Sequence, residues 1–244
     1  MEIAKYATTQ LVLVAYYIRS PDEIRVLVGD FERSSRLKID TVVVIDNGEH
    51  LQSVSAPDRI EFVAGANDFW EFSGWIAGLN HAQPDDGGLT ILLNDSYSRN
   101  WTIKWPGRYI LSAMVADARG GRIAGWLDNF TRTSRKVNSR IIVMPTALVS
   151  TLQHSIAAAI HTFAERQANS EPLFSPAAAA QLSHWMQKQD GRWNEASAAS
   201  RLPRIFVEHH LFDAVPTHLI SLRPRTWLGS QIYGLTRKIV GERR

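Results

Sequence analysis

The 244-residue chain contains no cysteine, which excludes thiol catalysis, thiolate metal ligands and a disulfide framework. It also lacks a long apolar run, because the strongest one, residues 11–18, is far too short to span a bilayer. The N-terminal segment MEIAKYATTQ does not have the basic and then apolar layout of a signal peptide. These absences predict a soluble or peripheral protein, and the lack of cysteine fits a cytoplasmic location.

Positive and negative charges are distributed unevenly along the chain, although the net charge is only +3. Residues 1–100 contain 8 Lys and Arg against 15 Asp and Glu, whereas residues 101–244 contain 19 against 9. This asymmetry predicts two surfaces with different tasks, although uneven but solvated faces would give the same counts. The acidic first half would repel a phosphate backbone and no recognition motif is present, so we expect no nucleic-acid partner.

The first hundred residues alternate between strand and helix patterns. Continuous apolar runs predict buried strands over 11–18, 41–45, 59–63 and 89–93, and apolar spacings of three and four predict helices over 22–31 and 67–81. The order β-α-β-β-α-β favours an α/β fold, with a mostly parallel, Rossmann-type sheet flanked by helices.

The second half is less regular and predicts a largely helical region. We expect strands over 109–115 and 141–144, helices over 148–167, 177–188 and 205–215, and a loop over 189–203.

The helix predicted over 67–81 has two notable features. Asn67 is the predicted N-cap, and Asp68 and Glu71 place negative charge in the first turn, where the helix dipole favours it. Small residues between 73 and 78, including Gly74 and Gly78, form one face that would let this helix lie close to the sheet.

Polar side chains follow the apolar runs of the predicted parallel strands. The carboxyl ends of such strands meet at one edge of a sheet, where α/β proteins bind their ligands. We therefore expect these side chains to line one crevice. They are Tyr16 and Tyr17 after the first strand, Asp46 and Asn47 after the second, Gly65 to Asn67 before the helix, and Asn94, Asp95 and Ser96 after the fourth strand.

Taken in this order, the motifs resemble the nucleotide-sugar glycosyltransferases of the GT-A fold, in particular family 2. Ala15-Tyr16-Tyr17 is similar to the family's first strand end, Asp46-Asn47-Gly48 to its Asp-Asp-Gly-Ser turn, and Asn94-Asp95-Ser96 stands in place of its Asp-x-Asp motif. The stretches GANDFWEFSGWIAGLN and LLNDS look closer still to the rhamnan and O-antigen synthesis branch. The resemblance covers about residues 11–101, and beyond them rests mainly on FVEHHL.

The resemblance implies a GT-A-like domain over 1–244. Residues 1–101 would be the nucleotide-sugar-binding half, 102–226 a helical acceptor-side half, and 227–244 a basic amphipathic tail. It implies transfer of a hexosyl or deoxyhexosyl group from a nucleoside diphosphate sugar to a saccharide or lipid-linked acceptor in surface polysaccharide synthesis. The donor would contact Tyr16, Tyr17, Asp46, Asn47, Asn67, Asn94 and Asp95.

The departing diphosphate needs a cation, which the resemblance implies is a divalent Mg²⁺ or Mn²⁺ held by Asp95. Asn94 and Ser96 replace two acids of the family motif, which leaves one carboxylate. Mg²⁺ is often held by one or two carboxylates together with substrate phosphates, so a metal site stays possible. Arginines from the basic second half are the alternative.

An inverting reaction also needs a carboxylate that accepts the proton of the acceptor hydroxyl. Glu208 is our candidate, because it follows the apolar run of residues 205–207 in a predicted helix, in a half where acids are few.

Simpler explanations exist for each motif alone: a plain turn for residues 46–48, a solvated strand end for Asp95, a helix-surface position for Glu208 and packing roles for Tyr16 and Tyr17.

Other functions are also consistent with parts of the sequence. A sugar nucleotidyltransferase would carry a Gly-rich, basic phosphate loop after its first strand, and AYYIRSPDEIR contains none. A non-catalytic GT-A relative that binds a sugar or a partner is the main alternative, because the acidic motif is incomplete. The tail alternates apolar and basic residues, which predicts docking to an anionic inner membrane surface or, alternatively, packing on its own domain.

Overall fold

The computed structural model describes residues 8–51, 55–56, 58–82, 87–97, 105–129, 135–187 and 195–224. The described part of the first half contains four strands and two helices in the predicted order. They are β1 (Thr9–Ala15), α1 (Pro21–Ser35), β2 (Thr41–Asp46), β3 (Ile60–Ala64), α2 (Glu71–His81) and β4 (Leu89–Asn94).

Among the described residues, the second half adds three strands to the same sheet and four helices around it. These elements are α3 (Trp105–Arg119), β5 (Ile123–Asn129), β6 (Arg135–Pro145), α4 (Val149–Ala168), α5 (Pro176–Gln187), α6 (Glu195–His210) and β7 (Ile220–Pro224). The described part of residues 102–226 is thus largely helical as predicted, but it also supplies three of the seven strands.

The seven strands form one mixed, mostly parallel sheet in the order β3-β2-β1-β4-β6-β5-β7. Only β6 runs against its neighbours β4 and β5. In the parallel part, Ala15 pairs with Asp46 and Val14 pairs with Asn94. The predicted convergence of these strand ends at one edge is therefore confirmed, as is the Rossmann-like α/β class.

Helices pack on both faces of the sheet and bury its central strands. One core contains the apolar side of α1 together with residues of α3, and the other contains residues of α2, α4 and α6. The strands β1, β2 and β4 are buried almost throughout. Because both of their faces are covered, their sequences are continuous apolar runs rather than alternating patterns. No helix in the described part of the chain is long and apolar enough to cross a membrane.

The small face of α2 packs directly on the sheet, as predicted. A methyl group added at Gly74 would lie 2.8 Å from Cγ2 of Val14, and one added at Gly78 would overlap Cγ1 of Val12. The indole nitrogen of Trp75 on this helix donates to the carbonyl of Leu93, 3.3 Å away.

Several sequence-based assignments were wrong in type or in extent. Residues 109–115 are not a strand but part of α3, where Leu111, Met114, Val115 and Ala118 are buried at helical spacing. Their aromatic and β-branched content is typical of strands, and packing against the sheet overrides that preference.

The helix α6 begins and ends earlier than predicted. Residues 195–203 belong to the helix rather than to a loop, and Pro203 lies inside it. Alanine favours helix, and the apolar residues from Ile205 to Val207 anchor the following turns in the core. The helix ends at His210, so residues 211–215 form turns.

The N-terminus of α2 also differs from the prediction. The helix begins at Glu71, and its N-cap position is Trp70 rather than Asn67, without a side-chain cap. Asn67 and Trp70 both have positive φ angles, 23° and 55°, so the chain makes a strained turn before the helix.

Candidate functional site

Asp95 follows β4 directly, and it anchors the loop that follows β1. Its Oδ2 atom accepts hydrogen bonds from the backbone N–H groups of Tyr16 at 2.8 Å, Tyr17 at 2.5 Å and Ile18 at 3.3 Å. The residue is 3% exposed. Asp95 is therefore not a solvated strand end, because its carboxylate fills a concave nest of backbone donors.

The two tyrosines at this strand end have different environments. The side chain of Tyr16 points into the site, whereas Tyr17 is 54% exposed. The predicted role of Tyr17 in donor binding would therefore involve an accessible ring, and that of Tyr16 a largely enclosed one.

Asn47 connects three of the predicted site segments. Its Nδ2 atom lies 3.1 Å from the hydroxyl oxygen of Tyr16, 3.4 Å from Oδ1 of Asn67 and 3.4 Å from the carbonyl of Trp70. A side chain at Gly65 would overlap Oδ1 of Asn47, which explains the glycine there. The structure thus brings Tyr16, Asn47 and Asn67 together.

The carboxylate of Asp46 closes the turn that follows β2. Its Oδ1 accepts from the N–H of His50 at 3.1 Å, and its Oδ2 accepts from the N–H of Leu51 at 2.7 Å. Residues 46–48 therefore belong to a turn, as the simpler explanation of this motif predicted. Contact of Asp46 with a nucleotide stays a prediction.

Asn94 and Ser96 link the end of β4 to β6. Asn94 donates from Nδ2 to the carbonyl of Ser139 at 2.9 Å, and the hydroxyl of Ser96 donates to Oδ1 of Asn94. Ser139 is itself buried and belongs to the antiparallel strand.

Glu208 is buried beside Ser139 and is not a helix-surface residue. It is 3% exposed, and its Oε1 accepts a hydrogen bond of 2.6 Å from the Ser139 hydroxyl. The Nε atom of Arg204, one turn earlier on α6, lies 3.5 Å from the same oxygen. The same Nε lies 3.0 Å from Oε1 of Glu71 at the start of α2.

We give the name acid cluster to the set of Glu71, Arg204, Glu208 and Ser139. The sequence predicted this cluster only in part. Glu71 was expected in the first turn of a helix, where it complements the dipole, whereas Arg204 and Ser139 were not predicted as site residues. The i, i+4 spacing of Arg204 and Glu208 was a usable signal. No sequence signal indicated that α6 would dock on the start of α2.

Burial and neighbouring charge shift the ionisation of this cluster. Burial raises the pKa of Glu71, the guanidinium of Arg204 opposes that rise, and the carboxylate of Glu208 adds to it. Burial disfavours the charge on Arg204, but Glu71 and Glu208 outweigh it and raise the pKa of Arg204 above its usual value. Burial and the charge of Glu71 likewise raise the pKa of Tyr16.

Trp70 joins the strand-end residues to α6. Its indole nitrogen donates to the carbonyl of Ser200 at 2.9 Å, and its ring centroid lies 5.8 Å from that of Tyr16. The guanidinium groups of Arg201 and Arg204 lie 6.0 and 5.8 Å from the Trp70 ring, within cation–π range. The strand ends and the acid cluster thus form one contiguous polar region.

The described residues of this region do not by themselves form a metal-binding cluster. Across the described segments, no group of three or more His, Asp or Glu side chains is placed to hold a metal ion. Asp95, the predicted ligand, directs Oδ2 at three backbone donors. A metal here would depend on substrate oxygens for most of its ligands.

A separate cavity of about 810 Å³ lies at the other end of α6. It is lined by residues of 171–176 and by Arg166, His209, His210 and Asp213. These polar groups have structural partners: His210 bonds Asp213 at 2.7 Å, and Arg166 donates to the carbonyls of Pro172 and Leu173.

Comparisons with known proteins do not identify the chain. No protein-family model matches it, and no curated protein matches it significantly. It is similar to the crystal structure of Rv0371c from Mycobacterium tuberculosis H37Rv, with 11% sequence identity and a TM-score of 0.39, over 64% of this chain and 83% of that chain. A structure of Rv0371C in complex with manganese gives 11% identity and a TM-score of 0.37, over 64% and 84% of the two chains. Likenesses this weak carry no argument about function.

Proposed function

We propose that the protein is an inverting glycosyltransferase. It would move a hexosyl or deoxyhexosyl group from a nucleoside diphosphate sugar to a saccharide or lipid-linked saccharide in surface polysaccharide synthesis. The observation that carries this proposal is the linked set of Tyr16, Asn47 and Asn67 at the carboxyl edge of the parallel strands. A second acidic region, around Glu208, lies beside it.

The role that we propose for each residue depends on its position in the site. Tyr16, Asn47 and Asn67 contact the nucleotide or the donor sugar, and Asp95 keeps the loop after β1 in the conformation that receives it. Tyr17, which is 54% exposed, stacks on the base in this proposal.

In the transfer step, the acceptor hydroxyl oxygen forms a bond to the anomeric carbon, and the bond from that carbon to the diphosphate oxygen breaks. The diphosphate leaves with the electron pair, and the hydroxyl proton moves to a carboxylate oxygen of Glu208. Glu208 is almost fully buried and its Oε1 accepts from the Ser139 hydroxyl, so the acceptor hydroxyl would have to displace a neighbouring group to reach the carboxylate.

The charge of the departing diphosphate has two candidate counterions. Arg201 and Arg204 lie next to the Trp70 ring, close to the strand ends. A divalent cation near Asp95 is the other candidate, and the described residues offer it few ligands. Adding Mn²⁺ to binding measurements distinguishes them, because only the second requires it.

The alternative proposal is a non-catalytic relative that binds a sugar or a partner. Its support is that the carboxylates of Asp46 and Asp95 are engaged by backbone N–H groups and that Glu208 is buried.

Donor binding tests the shared part of both proposals. We expect nucleoside diphosphate sugars to raise the melting temperature of the wild-type protein and Asn47→Ala to weaken their binding roughly tenfold or more, because one buried hydrogen-bonding amide is removed. Asn80→Ala is the matched control, since Asn80 is exposed on α2 and its Oδ1 only accepts a hydrogen bond from Gln153. Equal affinities of the two variants would contradict the proposed donor site.

Turnover then separates the two proposals. Glu208→Gln keeps the shape of the side chain and removes the proton acceptor, so we expect kcat to fall by about 10²-fold or more while donor affinity stays close to wild type. The exposed Glu165→Gln on α4 serves as the control. Donor binding by the wild type without transfer or slow donor hydrolysis would favour the non-catalytic alternative.

A further inference from the structure

Trp70 has a backbone conformation that is unfavourable for its residue type. Its φ and ψ angles are 55° and −133°, a combination that favours glycine and disfavours a residue with a large side chain. Strained residues of this kind persist only where the surrounding structure fixes them, and they cluster at functional sites. The contacts that fix Trp70 therefore indicate what its side chain does.

The backbone of Trp70 is fixed from the side of the strand ends. Its carbonyl oxygen accepts hydrogen bonds from Nδ2 of Asn47 at 3.4 Å, from the hydroxyl of Ser73 at 3.0 Å and from the N–H of Gly74 at 3.4 Å. Its ring centroid lies 5.8 Å from that of Tyr16. Trp70 thus contacts two of the residues that we assign to the donor.

The side chain of Trp70 is fixed from the side of α6. Its indole nitrogen donates to the carbonyl of Ser200 at 2.9 Å, and the guanidinium groups of Arg201 and Arg204 lie 6.0 and 5.8 Å from the centre of its ring. Arg204 also lies 3.5 Å from Glu208, one turn later on the same helix. One side chain therefore links the turns of α6 that precede Glu208 to the donor side of the site.

The core holds α6 in place without help from Trp70. Phe206 and Val207 are completely buried, and the helix packs on α4 and β6. The hydrogen bond from Trp70 to Ser200 is solvent-exposed, and such a bond contributes little to the free energy of unfolding. The contact with Trp70 therefore sets where the first turns of α6 lie rather than whether the helix forms.

We propose that Trp70 is a positioning residue for the transfer reaction, which fixes the first turns of α6 over the strand ends and so sets the distance between the bound donor and Glu208. This role rests on the proposed function. The donor residues follow strands of the sheet, whereas the base lies on a helix. The reacting atoms have to approach within about 3–3.5 Å, so a shift of α6 by about 1 Å slows transfer by up to about 100-fold.

Two pairs of truncations test the strain at Trp70. Trp70→Ala and Trp70→Gly both remove the ring, but only glycine relieves the backbone. We therefore expect Trp70→Gly to have a folding equilibrium constant about tenfold larger than Trp70→Ala in urea unfolding. Trp75 lies inside α2, so Trp75→Ala should be the more stable of the corresponding pair. The same order of stability at both positions would overturn the strained conformation.

The kinetics of sugar transfer test the positioning role. Trp70→Phe keeps a ring against Tyr16 and removes the donor to Ser200. We expect kcat to fall about tenfold and the donor KM to stay within about twofold of wild type. Trp75→Phe is the matched control, because this buried indole on α2 donates to the carbonyl of Leu93 in the sheet. It should be less stable than Trp70→Phe and keep the wild-type kcat. A wild-type kcat in Trp70→Phe, or an equal loss in both variants, would overturn the role.

Hydrogen exchange of the free protein tests the link between Trp70 and α6 without a substrate. We expect Trp70→Phe to speed amide exchange at residues 199–204, relative to α4, by about tenfold, because the first turns lose a contact that holds them. Trp75→Phe should keep the wild-type ratio. An unchanged ratio in Trp70→Phe would overturn the link. Faster exchange in Trp70→Phe, together with no sugar transfer by the wild type, would confirm the link and contradict the proposed function.

Discussion

At the residue scale, the carboxylates after the strands hold the loops around the candidate site in place. Asp95 accepts hydrogen bonds from three N–H groups of the loop after β1, and Asp46 accepts two from the turn after β2. Each charge is stabilised by backbone donors, so each side chain keeps a fixed orientation. Acids at these strand ends can therefore shape a ligand site without touching the ligand.

This role predicts a stability effect for Asp95→Ala. The substitution leaves three N–H groups of residues 16–18 without their acceptor, so we expect the free energy of unfolding to fall by about 2–4 kcal/mol. Urea unfolding measures this loss. Asp58→Ala, at an exposed turn position, is the control and should change it by less than about 0.5 kcal/mol. A fully stable Asp95→Ala protein would show that Asp95 is not needed to hold the loop.

At the element scale, the close approach of α2 to the sheet positions the site. The glycines of α2 bring its N-terminus, with Trp70 and Glu71, next to the ends of β1 and β2. The helix α6 then docks across this N-terminus through the bond from Trp70 to Ser200 and the ion pair from Arg204 to Glu71.

Two glycine substitutions separate helix propensity from close packing. Gly78→Ala gains about 1 kcal/mol of helix propensity, but its methyl group would overlap Val12, so we expect a net loss of about 1–3 kcal/mol. Gly29→Ala on α1 meets only the flexible end of Arg33 at 3.4 Å and should stabilise the protein by about 0.5–1 kcal/mol. Thermal and urea unfolding compare them, and a stabilising Gly78→Ala would contradict the close contact.

At the scale of the whole molecule, the acidic and basic halves contribute to one sheet, and their contact at α2 and α6 contains the acid cluster. The basic tail over 227–244 lies outside the described residues. It contains Arg237, Lys238, Arg243 and Arg244 among aromatic and aliphatic residues. A lipid-linked acceptor would make membrane docking by this tail useful.

We predict that the protein binds vesicles containing anionic lipid through residues 227–244. Each cation near such a surface contributes about 1 kcal/mol, so binding should weaken as salt is raised. Co-sedimentation with vesicles measures it, and zwitterionic vesicles are the control. Removal of 227–244 should abolish binding. Binding that survives this truncation, or no binding at low salt, would rule out docking by the tail.

Local patterns determined much of the first half from the sequence alone. Strands β1, β2 and β4 and helix α2 were predictable because a buried parallel strand needs a continuous apolar run and a helix on a sheet needs a small face. Parallel pairing then implied that Tyr16, Asn47 and Asp95 would meet at one edge, and they do.

Tertiary structure alone decided which partner each polar group takes. Residues 109–115 became helix because packing on the sheet outweighs their strand preference, and residues 195–203 became helix because the turns after them are anchored in the core. Glu71 and Glu208 come together because α6 crosses the start of α2. The ionisation of a carboxylate depends on burial and on charges within a few ångströms. Here the neighbouring charges are remote in the chain. The contact of both acids with the guanidinium of Arg204 therefore follows from the packing of the helices.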